Sequence, residues 1–376
     1  MRKYLFLALL IVYPVTVAAQ GTEEDQIREA IGKYDVGTAY NHADMVLEAF
    51  MPGADMFLEN RDQELWIMKI EDYAGRIANQ EAGKFNGRLT NTLAIDRFGN
   101  IATAKLEVII PTMGRRFIDM LLLKKLDDGW KIISKTATSE PSPRTGKKVL
   151  MVVSSATQQG DSALPAGNSF AELVIAYDEY YKAGYHIDVV SPKGGKVPLA
   201  YVNPADSLES QYLYNADFMY AMANTKTPAE INPDAYQIVQ FTGGSAPIFD
   251  IPQHQALQNI AMHIYEKNNG VIAAVCHGTA ALVNLKTSNG NYLVAGKQVN
   301  GVPDILERKD LPHYKQYPFI IEDLLVERGG IFRHAEIATP HMEVDGRLVT
   351  GQNSLSSAMV TRKSIEISQR KENEDS

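Results

Sequence analysis

The chain is 376 residues long, 45% hydrophobic and 22% charged, with a formal net charge of −8. That length allows two domains, and the apolar content supplies buried cores and excludes wholesale disorder. The acidic balance, with no basic stripe, excludes nucleic acid or an anionic membrane surface as a partner.

The chain begins with Arg2 and Lys3, an apolar stretch from Tyr4 to Val17, and the small residues Ala18 and Ala19. This pattern predicts a signal peptide over 1–19, since the apolar run is too short to span a bilayer comfortably. The expectation is an exported protein, periplasmic or secreted, with no membrane insertion once the signal is cleaved.

From Thr22 to Phe50 the pattern is helical. Ile27, Ala30, Ile31 and Tyr34 recur at helical spacing, and Thr22 with Asp25 forms a candidate capping box. Pro52 and Gly53 are expected to stop the second helix. Four strands follow, at Arg88–Arg97, Ile101–Pro111, Arg116–Leu126 and Trp130–Thr138. Asp96–Asn100 and Asp127–Gly129 supply hairpin turns. Helices before a curved antiparallel sheet make an α+β cone, assigned to residues 20–138.

Three segments carry a resemblance here: Asn41-His-Ala-Asp44, Phe117 to Lys124, and Gly129-Trp-Lys-Ile-Ile-Ser-Lys135. On them the segment resembles the nuclear transport factor 2-like superfamily, in its putative lumazine-binding branch. The resemblance implies a cone that holds a small ligand or dimerises, with Asp44 and Asp119 as possible pocket acids. The plainer expectation is that Asp44 caps a helix and Asp119 is structural.

Two prolines, two serines and a glycine within Ser139–Gly146 predict a linker. Beyond it, strand and helix alternate through residues 147–368, leaving 369–376 as an expected disordered tail. Strands are expected at Lys147–Ser155, His186–Ser191, Gln237–Thr242 and Val271–Val275, with helices at Ser169–Ala183 and Gln253–Asn268. Apolar strands between helices imply a parallel sheet covered on both faces. Ligands bind beyond the carboxyl ends of such strands, where Gly243, Gly244 and Cys276 all fall.

Cys276 is the only cysteine in the sequence, so an intramolecular disulfide is excluded. It ends the apolar strand Ala273-Ala-Val and is followed by His277 and Gly278, the pattern of a nucleophile elbow. A helix starting there is expected to lower the thiol pKa.

Five segments then carry a second resemblance: Ala171-Glu-Leu, Ala183 to Gly195, Thr242 to Pro252, Val275-Cys-His-Gly278 and Asp345 to Asn353. On them the segment resembles the ThiJ/PfpI superfamily, in its chaperone-like and glyoxalase III-like branch. The resemblance implies a flavodoxin-like α/β sandwich with Cys276 as nucleophile, His277 beside it and Glu172 as the acid touching the sulfur. Asp304 is expected to orient His277. The oxyanion hole is expected from the Gly243–Gly244 pair and His277, with the Gly244 and His277 N–H groups as donors.

Three departures border the pocket: Ile175-Ala176 where many members have His-Pro, Ser245-Ala246 in place of His-Gly, and only Glu307 near Asp304 where other branches carry two glutamates. His254, His263 and His341 form no metal-ligand spacing, and no dinucleotide or Walker motif is present, so neither metal nor organic cofactor is expected.

The reading is therefore a cysteine-dependent enzyme that converts small 2-oxoaldehydes to 2-hydroxy acids, working as a homodimer. A cysteine peptidase or amidase, and a stress-protection or thiol-sensing protein with a ligand-binding cone, are the alternatives.

Overall fold

In a computed structural model, which describes residues 22–59, 63–336 and 338–375 (371–375 as backbone only), the chain forms two packed units. The segment 1–19 expected to direct export lies outside the described residues. The capping box opens the first helix: the Thr22 hydroxyl accepts from the Asp25 N–H, and the Asp25 carboxylate accepts from the Thr22 N–H.

Helices α1 (Glu23–Ala39) and α2 (Ala43–Ala49) are followed by strands β1 (Phe50–Leu58) and β2 (Trp66–Lys69), helix α3 (Ile70–Ala78), and strands β3 (Leu89–Phe98), β4 (Ile101–Ile110), β5 (Arg115–Leu126) and β6 (Gly129–Pro141). The sheet order is β2-β1-β6-β5-β4-β3. Pro52 and Gly53 do not stop α2, which ends at Ala49; they lie inside β1. A bulge between Phe50 and Asp55 absorbs them, and a strand interrupted in pairing tolerates Pro and Gly. His42, not Asp44, is the N-cap of α2, with Asp44 in its first turn.

Ile27, Ile31 and Tyr34 of α1 pack with Leu106, Leu121, Leu123 and Ile132 of the sheet's inner face. Asp119 is buried there and ion-paired, 2.7 Å from Lys135 and 3.5 Å from Arg88, and it accepts a 2.9 Å hydrogen bond from Tyr34 Oη. A buried carboxylate persists only with such partners.

β6 runs on to Pro141, through the start of the expected linker. Strands β7 (Lys148–Val152), β8 (His186–Val190), β9 (Ile238–Phe241), β10 (Val271–Val275), β11 (Met342–Asp345) and β12 (Leu348–Gly351) form the second sheet. Their order is β11-β12-β10-β9-β7-β8, parallel throughout except for the edge pair β11–β12. Alternate side chains of one strand enter opposite cores. Leu150, Val152, Val239 and Ile272 meet the helix Gln255–Glu266, whereas Val149, Met151, Ile238 and Val271 meet the helices Phe170–Lys182 and Ser357–Asp375. The last helix continues over the expected tail.

The two units touch through charged contacts. Arg28 donates to Tyr220 Oη (2.6 Å) and Asn224 Oδ1 (2.7 Å), Lys105 pairs with Asp217 at 3.0 Å, and Arg144 pairs with Glu107 at 3.2 Å. No helix among the described residues is long and apolar enough to cross a membrane.

Candidate active site

Val271–Val275 is buried at every position and delivers Cys276 to the carboxyl end of the sheet, next to the end of β9. Cys276 has a φ of 54°, the left-handed conformation that non-glycine residues rarely adopt. Gly278 permits that turn: a Cβ there would stand 2.7 Å from the carbonyl oxygens of Phe241 and Thr242. The segment that follows, Cys276–Asn284, is a 3-10 helix.

Glu172 lies in the first turn of the helix Phe170–Lys182, only 2% exposed. It accepts a 2.7 Å hydrogen bond from the Gly243 N–H, and further ones from the Cys276 thiol and Ser169. Gly243 has to be glycine, since a Cβ would sit 2.6 Å from Glu172 Oε2 and 2.8 Å from Cys276 Cβ. Burial raises the Glu172 pKa to about 7, against the hydrogen bonds that pull it down.

His277 Nδ1 stands 3.5 Å from Cys276 Sγ, and its Nε2 lies 2.9 Å from Glu307 Oε1 and 3.0 Å from Tyr317 Oη. A nitrogen facing a carboxylate carries the proton, which leaves Nδ1 as an acceptor toward the thiol. The thiol thus sits between two proton acceptors, Glu172 and His277.

Three expectations are corrected. Asp304 does not orient His277: its carboxylate is bound by Lys309 and by Tyr314 Oη at 2.5 Å, and the oxygen facing the imidazole belongs to Glu307. Gly243 contributes no oxyanion donor, because its N–H is taken by Glu172, so the expected hole contracts to the Gly244 and His277 amides; the latter points at the sulfur. The thiol pKa is raised, not lowered. Burial is the largest cause and the Glu172 carboxylate the next, and both outweigh the bond from the His277 N–H.

Tyr317 and Ser169 were not legible in the sequence, since a lone tyrosine or serine carries no spacing signal. Glu307 had one faint signal, its place near Asp304. The other histidines have structural partners: His254 caps the helix Gln255–Glu266, His263 pairs with Asp234 at 2.6 Å, and His341 with Glu343 at 2.8 Å. A cavity of about 560 Å³ lies between the two units, lined by Arg28, Asp35, Asp188 and Lys226 among others. Cys276, His277 and Glu172 are not among its lining residues.

Comparison with known proteins agrees with this geometry. Residues 163–366, more than half of the chain, match the DJ-1/PfpI family. The chain belongs to the DJ-1/PfpI family. Residues 22–137 match the putative lumazine-binding family, so a domain of nuclear transport factor 2-like type precedes the DJ-1/PfpI domain. The probable glutathione-independent glyoxalase hsp3103 of Schizosaccharomyces pombe is 36% identical over 172 residues, which is 42% of this chain and 64% of that protein. The glutathione-independent glyoxalase hsp3101 of the same organism is 31% identical over 250 residues, 59% of this chain and 96% of that protein. Among solved structures of the family, glyoxalase III from Candida albicans is 27% identical and superposes with a TM-score of 0.54, covering 59% of this chain and 97% of that one.

Proposed function

We propose that the protein is a cofactor-independent glyoxalase, converting 2-oxoaldehydes to 2-hydroxy acids. The observation that carries this reading is the buried Glu172 carboxyl, with a pKa of about 7, hydrogen-bonded to the Cys276 thiol. A carboxyl tuned to neutral pH can both take and return a proton. The similarity to proteins named glutathione-independent glyoxalases supports it.

The chemistry follows from the groups present. Cys276 Sγ attacks the aldehyde carbon as Glu172 takes the thiol proton, and the new oxyanion is held by the Gly244 and His277 amides. Glu172 delivers that proton to the oxyanion, giving a hemithioacetal. It then removes the hydrogen on the former aldehyde carbon as a proton, giving an enediolate, and returns it to the neighbouring carbon while the hydroxyl proton passes from the first oxygen to the second, leaving a thioester of the 2-hydroxy acid. Water, its proton taken by His277 Nδ1, cleaves the thioester and restores the thiol. Glu307 holds the imidazole throughout, 2.9 Å from Nε2. Changing Glu172 to Gln is expected to abolish methylglyoxal turnover while Cys276 stays alkylatable by iodoacetamide. Turnover retained in that variant would remove Glu172 from the mechanism.

Two wider features belong to the same reading. The basic and apolar start of the chain supports export to the periplasm or the medium. The outer face of the cone's sheet carries Ile67 of β2, Phe57 of β1, and Met120 and Leu122 of β5, exposed at 54%, 37%, 43% and 42%, with Thr136 of β6 between Phe57 and Met120. An apolar row of that kind supports a homodimer, and a mass of a single chain at micromolar concentration would refute it.

A further inference from the structure

Five non-glycine residues among those described have a positive φ: Asn41, Tyr201, Asn269, Cys276 and Ala338. Asparagine tolerates that region at little cost, so the two asparagines need no explanation. Of the other three, Cys276 is the nucleophile. Tyr201 has a φ of 58° and follows a strand that runs past the same site.

Its place is fixed by backbone pairing. Ala200 pairs with Ser169, and the Ser169 N–H donates to the Gly243 carbonyl at 2.9 Å, so Tyr201 follows directly on the strand that borders Glu172 and Gly243. The packing is tight: a Cβ on Gly167 would meet Ala200 Cβ at 2.7 Å. The Tyr201 phenol lies within electrostatic reach of the Tyr317 hydroxyl, which is itself 3.0 Å from His277 Nε2. The ring of Tyr317 stands edge-on to His277 at 5.5 Å and adjoins Phe249, at a centroid distance of 6.4 Å. The imidazole side of the site is therefore walled by aromatic rings.

The fold gains little from a tyrosine at 201. Its side chain is 66% exposed, so burial does not offset the unfavourable backbone, and glycine would hold the same turn without strain. A bulky ring kept in a strained conformation one residue beyond the strand that pairs with Ser169, whose side chain reaches Glu172, points to contact with a substrate.

We propose that Tyr201 is a specificity-determining residue that contacts the substituent on the 2-oxoaldehyde, and that the site selects aryl-substituted substrates over methyl-substituted ones. The proposal rests on the glyoxalase reading. Bound through its aldehyde carbon to Cys276, a phenyl-substituted substrate would extend its ring toward Tyr201 and Tyr317 and stack or pack edge-on there. Methylglyoxal offers only a methyl group.

The test is the ratio of kcat/KM for phenylglyoxal to that for methylglyoxal, measured in the full mature chain and in two variants. The wild type is expected to favour phenylglyoxal. Tyr201→Gly should lower the ratio by about fivefold, the size of one aromatic contact, whereas Tyr201→Phe should keep it. The glycine variant should also melt no lower than the wild type, because it relieves the backbone. A ratio unchanged in Tyr201→Gly overturns the proposal and leaves the glyoxalase reading standing. Wild type inactive on both aldehydes overturns the two together.

Discussion

The reactive unit is a thiol and a carboxyl that are both pushed up in pKa by burial, and the consequences can be measured at single residues. A carboxyl whose folded pKa is raised from 4.5 to about 7 adds stability below its unfolded value, and that contribution is lost as pH climbs through about 7. Glu172→Gln keeps an acceptor for the Gly243 N–H and has nothing to ionise. Urea unfolding should therefore find the variant about 3 kcal/mol more stable than wild type near pH 8, with no difference below about pH 4.5. Equal stabilities at pH 8 would mean that Glu172 is not held in a desolvated site. The same substitution removes the carboxylate that raises the Cys276 pKa, so the thiolate absorbance should appear at lower pH in the variant. At the imidazole, Glu307→Ala should reduce kcat by about tenfold to a hundredfold, below the range for a full acid–base group. Asp304→Ala should leave kcat near wild type, since Asp304 binds Lys309 and Tyr314. The sequence brought Cys276, His277 and Glu172 into view through the elbow pattern and the family motifs. It chose Asp304 over Glu307, three residues on, and missed, because only the conformation of that loop decides which carboxylate faces the imidazole.

At the scale of elements, the turns that carry the site depend on contacts no side chain can enter. Gly278→Ala would force a Cβ to 2.7 Å from two backbone carbonyls, which cannot yield as a flexible side chain can. That variant is expected to lose on the order of 1–3 kcal/mol by overpacking, seen as a lowered urea midpoint, and to lose activity by moving the Cys276 turn. The strand Val271–Val275 was legible to the residue because five apolar side chains between turn signals have few other readings. The hairpin strands β3 to β6 were legible from their turn residues. β1, β2 and α3 were not. Pro52 and Gly53 read as a stop signal, and it is pairing with β6 and β2 that makes a strand of that stretch. The helix expected from Cys276 onward is present as a 3-10 helix, but it does not lower the thiol pKa, which burial governs.

At the scale of the molecule, the two domains meet through ion pairs of very different burial. Glu107 and Arg144 are 4% and 8% exposed, and the Arg144 guanidinium also lies 4.2 Å from the centre of the Tyr181 ring. Lys105 and Asp217 are each about a third exposed. Removing one partner of a buried pair leaves the other desolvated, whereas a surface pair contributes at most about 1 kcal/mol. Arg144→Ala should therefore lower the thermal midpoint clearly and Lys105→Ala hardly at all, as scanning calorimetry of the two variants would record. Similar losses would mean that the interface is held by something other than the Glu107 pair. The central claim remains the chemistry at Cys276, and one assay addresses it most directly: lactate formation from methylglyoxal by the protein without residues 1–19, beside Cys276→Ala. The account predicts lactate from the first and none from the second. Lactate from both at equal rates would contradict it, as would none from either.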